Sequence, residues 1–190
     1  MGLEAETATP AIGDFINFFD ISDNNEPKKA AVANLVGAAS ASAIGSSIGA
    51  RCTTQFDAVT GTTGATLTNV VGMSVNLVAG AVYTVNVYVH GISTSNSGMK
   101  LGLGGTATWT SVDATGTLKT ASAMISGSNI TATPGTAVVG GTAAYLNGDI
   151  KATIVVNAAG TLTLMAAQNA AHADTTSVYV NSNIVVTRIA

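Results

Sequence analysis

Charge is what this chain has least of. Only 9% of its 190 residues are charged and 5% aromatic, against roughly 25% charged in ordinary soluble domains. The surface must therefore be built from Thr, Ser, Asn, Gly and Ala. The seven basic residues, Lys28, Lys29, Arg51, Lys100, Lys119, Lys151 and Arg188, are scattered along the chain with no stripe beyond the Lys28-Lys29 pair. Nucleic-acid binding by phosphate neutralisation is excluded on that pattern. A single cysteine, Cys52, makes neither an intrachain disulfide nor a CxxC metal site, and reads as a small buried thiol that fits synthesis in a reducing cytosol.

Membrane and secretory signals are also lacking. Residues 1–14 carry Glu4, Glu6 and Asp14 with no basic n-region, so no secretion signal is expected. Residues 30–50 hold no charge and are long enough to cross a bilayer. They are mostly Ala, Ser and Gly, with Asn34 among them, and no membrane span is expected.

What is present is strand pattern. In residues 66–78, Leu67, Val71, Met73, Val75 and Leu77 share one phase while Thr68, Ser74 and Asn76 take the other. After Ala79-Gly80-Ala81 the period of two resumes with Tyr83, Val85, Val87 and Val89 opposed by Thr84, Asn86 and His90. A slip of one residue would turn the apolar row to water, so register is fixed. Further strand signals fall at 52–58, 99–109, 120–126, 142–156, 160–168 and 176–189, with Gly127 to Gly141 reading as an exposed loop. Short strands with turn residues between them predict an all-β sandwich of jelly-roll type.

Acidic residues concentrate before residue 58, which divides the chain into an N-terminal arm, 1–58, and a β domain, 59–190. In the arm, Phe15 to Phe19 form an aromatic run of strand type. Pro27 then suits the first turn of a short helix over Lys28 to Ala43, with Val32, Leu35 and Val36 as its narrow apolar face.

Catalytic chemistry has little to work with. The two histidines are His90, on a polar strand phase, and His172, in the loop Asn169 to Asp174, and no triad assembles from their spacing. A glycosidase would need paired carboxylates in a groove, for which the β domain offers Asp113, Asp149 and Asp174. The oxygen-rich turn Asp20, Asp23, Asn24, Asn25, Glu26 lacks the spacing and central glycine of an EF-hand. His172 with Asp174 supplies only two metal ligands. Residues 98–105, GMKLGLGG, lack phosphate-loop spacing and read as a strand with Leu101 and Leu103 inward. No enzymatic activity, cofactor or metal is expected.

Two stretches carry a resemblance. DFINFFDISD at 14–23, followed by KKAAVANL at 28–35, resembles a pattern common in tailed-bacteriophage fibre and virion surface proteins. The strands LVAGAVY at 77–83 and AAGTLTLMAAQN at 158–169 are similar to phage structural β-sandwich domains. A fibre chain carries a long shaft, and none is present here, so the resemblance implies a compact capsid cement or decoration protein, with a short tail fibre or host-receptor binding protein as the alternative. Mean hydropathy of +0.42 and a net charge of −3 imply a surface covered by other protein. The expectation is a homotrimer on the major capsid protein at the virion surface. Phe15, Ile16, Phe18 and Phe19 are the expected attachment residues, acting by edge addition or groove filling.

Overall fold

The structure, a computed structural model, describes residues 15–20, 26–31, 44–58 and 65–190. The chain forms two compact units, Met1–Ala39 and Ser40–Ala190. The smaller holds strands β1 (Phe15–Asp20) and β2 (Glu26–Ala31), paired antiparallel from Phe15↔Ala31 to Asp20↔Glu26. The aromatic run is therefore a strand, as expected. The helix expected from Lys28 is not found at its start, because Lys28 to Ala31 belong to β2, and the remainder of that segment lies outside the described residues. The reason is tertiary: a strand beside Glu26 to Ala31 offers a full ladder of partners, which outweighs alanine's helix preference. Pro27 fits because both strands of a two-stranded ribbon are edge strands.

The larger unit contains β3 (Ser47–Arg51), β4 (Phe56–Ala58), β5 (Thr68–Leu77), β6 (Val82–Ile92), β7 (Met99–Gly105), β8 (Thr108–Lys119), β9 (Met124–Asn129), β10 (Thr136–Gly141), β11 (Asn147–Ala158), β12 (Gly160–Ala167), β13 (Thr176–Val178) and β14 (Asn183–Arg188). No helix occurs among the described residues. One sheet has four strands in the order β10-β7-β12-β5; the other runs β3-β14-β6-β11-β8-β9, with β13 and β4 attached beside β6. All pairings are antiparallel. Residues 47–58, on the arm side of the boundary drawn at residue 58, pair here with β14 and β13.

The pairings follow one rule. β8 meets β9, β7 meets β10, β6 meets β11 and β5 meets β12, so the chain from 68 to 167 is a single antiparallel ribbon doubled back at the Lys119–Met124 turn. Alternate pairs of that ribbon fall in alternate sheets, and β8·β11 and β7·β12 join them. Between the sheets lies the core, with Met73, Leu101, Leu162 and Leu164 from one side and Val87, Leu118, Ile150, Ile154 and Ile184 from the other.

Two details depart from the sequence pattern. Met73, Val75 and Leu77 point inward as expected, but Val71 is 68% exposed and Val70 is buried in its place. Gly72, at φ +82°, lies within a register irregularity opposite Thr163 and Met165. Five steps on β5, from Asn69 to Ser74, oppose two on β12, so the irregularity adds three residues, an odd number, and inverts the phase behind it. The predicted loop from Gly127 to Gly141 is mostly strand, the end of β9 and all of β10, and Val138 and Val139 are both buried. A second irregularity between Ala137 and Val139 lets two successive valines face inward.

Candidate attachment hairpin and sheet surfaces

All four expected attachment residues lie on β1. By register, Phe15 and Phe19 share one face of the ribbon with Ala31 and Pro27, while Ile16 and Phe18 share the other with Ala30 and Lys28. Successive strand residues alternate between faces, so this hairpin has apolar positions on both. Half-buried strands show the opposite pattern, one apolar face and one polar. Two strands alone are marginal in water, and a third strand or a covering surface is what ordinarily stabilises them. Such an element can add to a sheet edge or insert between two surfaces.

On the larger unit, the outward positions of the six-strand path form mostly polar cross-strand rows. One row runs Ser126, Thr117, Asp149, Tyr88, Asn183, Arg51, and the next Ser128, Thr115, Lys151, Asn86, Val185, Gly49. In the first, Thr117 donates to Asp149 Oδ2 at 2.6 Å and Lys119 Nζ stands 3.5 Å from the same oxygen. Exposed large apolar side chains include Ile44, Val71, Met124 and Ile130.

Each histidine contacts a neighbouring side chain or backbone group. His90 is exposed on β6 with its ring edge-on to Tyr179, centroids 5.2 Å apart. His172 Nδ1 accepts the Asp174 N–H at 3.1 Å and lies 3.3 Å from Asp174 Oδ2. That carboxylate also accepts Thr94 Oγ1 at 2.7 Å and Asn96 Nδ2 at 3.1 Å, and these two donors, Thr94 first, hold its pKa below the ordinary value. Beneath the loop the fully buried Gln168 donates from Nε2 to the carbonyls of His172 (3.1 Å) and Asp174, and its Oε1 accepts the His172 N–H at 3.0 Å. Sequence reading had placed Gln168 only within a motif. A long amide at a strand end beside a Gly- and Pro-free loop was the available signal.

Other candidates resolve similarly. Ser177 donates to Asp57 at 2.6 Å and Gln55 donates to the same oxygen at 2.8 Å, with no histidine in the group to act as base. Cys52 is buried, burial pushes its thiol pKa up, and its Sγ donates to the Thr54 carbonyl at 2.9 Å. The glycine-rich run is β7, an interior strand whose backbone is committed to β10 and β12. No group of three His, Cys, Asp or Glu able to hold a metal exists among the described residues. Of the oxygen-rich turn, Asp20 and Glu26 are an opposed pair at the end of the β1-β2 ladder, and residues 21–25 lie outside the described residues. No helix among the described residues is long and apolar enough to cross a membrane.

No family model matches this chain, and no curated protein sequence matches it. Among solved structures it is similar to the VP2 subviral particle of infectious bursal disease virus, at 14% identity over 98% of this chain and 50% of that chain, with a TM-score of 0.22. A score that low defines neither fold nor role.

Proposed function

We propose that this chain is a non-enzymatic structural protein of a phage virion, a cement or decoration protein that docks on the major capsid protein as a homotrimer. The observation that carries the reading is the β1-β2 hairpin: among the described residues a two-stranded ribbon with apolar positions on both faces, in a chain whose other unit has a core of its own. One part has the design of a plug and the other of a rigid body. The doubled ribbon, wound so that alternate pairs enter alternate sheets, supports a jelly roll, a fold that serves as a building block of viral shells. Three hairpins on one trimer make each later contact intramolecular, so contacts that are weak singly sum to a stable staple. A Ser/Thr/Asn exterior with little charge is less costly to desolvate against neighbouring protein than a charged surface of the same area.

Gel densitometry of purified virions tests this. A cement protein is present in hundreds of copies per particle, and its removal lowers the temperature at which the head survives. A ratio of a few copies per hundred shell subunits, with adsorption lost and the head unaffected, overturns the reading in favour of a tail fibre or receptor-binding protein.

A further inference from the structure

The outward face of the larger sheet is not uniform. Around the Lys119–Asp149 pair its polar side chains are bonded to one another, and at its β3 edge Ser47 Oγ and Thr187 Oγ1 are 2.7 Å apart. Between these lies a shallow basin of about 450 Å³ lined by Thr84, Asn86, Asp113, Thr115, Lys151 and Thr153. Register sets its floor: Lys151 of β11 is flanked by Asn86 and Thr115, and Thr153 by Thr84 and Asp113. Among the described residues, the side chains of Asn86, Asp113, Thr115, Lys151 and Thr153 make no hydrogen bond or ion pair with one another or with any neighbour, and Thr84 has only a 3.5 Å contact to the Thr187 carbonyl. Five polar groups without a partner among the described residues converge on this one basin.

We propose that this basin binds a neutral polyhydroxylated ligand, a saccharide unit. Charge decides the class. Lys151 and Asp113 are diagonal neighbours on β11 and β8 within one small site, so an anion attracted by the first is repelled by the second and a cation meets the reverse. A neutral ligand that both donates and accepts hydrogen bonds meets no such conflict. Lys151 offers three donors, Asp113 only acceptors, Asn86 both, and the threonines hydroxyls that turn to suit. The volume lies within the range of small-molecule clefts, and the antiparallel ladders fix the backbone positions from which the polar groups project. With no aromatic ring among the lining residues, each site is weak, in the millimolar range, and useful binding comes from many copies acting together. The inference goes beyond the attachment reading and holds whether or not that reading does.

The test uses the purified full chain, labelled with nitrogen-15, titrated with the methyl glycosides of glucose, galactose, mannose and N-acetylglucosamine. At least one sugar should shift the amides at 84–86, 113–115 and 151–153 together, saturating at millimolar concentration. Lys151→Ala and Asp113→Asn should each weaken that sugar at least about tenfold, a loss typical of removing a hydrogen-bonding group that a sugar hydroxyl uses, with melting temperatures unchanged because both side chains are exposed. Inorganic phosphate and methylammonium should leave these amides in place. The proposal is overturned if no sugar shifts them, if phosphate or methylammonium shifts them as strongly as the best sugar, or if both variants bind as the parent does. Because no particle is involved, failure here leaves the capsid-binding test unaffected.

Discussion

Replacing Gln168 by leucine should destabilise the larger unit by about 3 kcal/mol. The side chain is fully buried and its amide makes three good hydrogen bonds, two donated to the His172 and Asp174 carbonyls and one accepted from the His172 N–H. A longer one, 3.4 Å to the Ala58 carbonyl, adds little. At about 1 kcal/mol net for each bond the loss is about 3 kcal/mol. It is not larger because His172 is exposed and Asp174 only half-buried, so water can reach the released carbonyls. For a unit of this size that corresponds to a fall in Tm of about 6–12 °C. Gln168→Glu sharpens the test. It keeps shape and the acceptor, but its carboxylate faces two carbonyls and the charged form is disfavoured, which raises its folded pKa above the unfolded value of about 4.3. Its deficit should therefore be smallest in acid, where the protonated group donates one bond, and should grow as pH rises through the folded pKa. Thermal melts of parent and both variants from acid to neutral pH decide it. A leucine variant melting within about 2 °C of the parent, under the same size scaling, would refute the assignment of Gln168 as the anchor of the 169–174 loop.

Gly116→Val should cost about 1–3 kcal/mol by overpacking, since a Cβ there stands 2.8 Å from Val139 Cγ1 and 3.2 Å from Val138 Cγ1 across the core; urea denaturation measures it, and an unchanged midpoint sinks the packing argument. Asp174→Asn should lower Tm at neutral pH. Because the folded carboxyl titrates below its unfolded value, its stabilisation is complete above about pH 3.9 and is lost as pH falls through the folded pKa, so parent and variant should converge in acid. Removing residues 1–39 should leave Ser40–Ala190 folded, since it holds the whole core cluster, yet unable to bind capsids. Phe18→Ser with Phe19→Ser in the full chain should weaken attachment without altering the melt, and a truncated chain that still decorates shells at full occupancy would contradict the role of the hairpin.

The all-β class was legible because β6 and β11 alternate cleanly, with large β-branched residues such as Val85, Val87, Ile150 and Ile154 inward. β8 was not legible beyond its first residues. Its inward positions are Trp109, Val112, Ala114, Gly116 and Leu118, and the small ones in the middle erase the hydrophobic signal. They are small for a reason visible only in three dimensions: Val139 of the opposite sheet rests on Gly116. β10 was hidden by the same complementarity from the other side. Its valines are adjacent rather than alternate, and its flanking glycines read as loop chemistry, although a Cβ at Gly141 would run into the Tyr145 hydroxyl. Periodicity reports what one strand contributes to a core, whereas packing is a property of two facing strands, so large residues on one reveal it and conceal its partner.

That asymmetry also accounts for the candidate sites. Phe15 to Phe19 were found because aromatic residues are rare in this chain and their concentration stands out in one dimension. Asn86, Asp113 and Lys151 are single polar residues on three strands, and each alone is what any solvated strand face carries. Only the order β6-β11-β8 and the pairings Lys151↔Asn86 and Thr153↔Asp113 bring them into one basin. Register is the step sequence reading could not supply, because it depends on which distant strand becomes the neighbour. In a ribbon wound between two sheets, that neighbour is set by the winding of the whole chain rather than by any local turn.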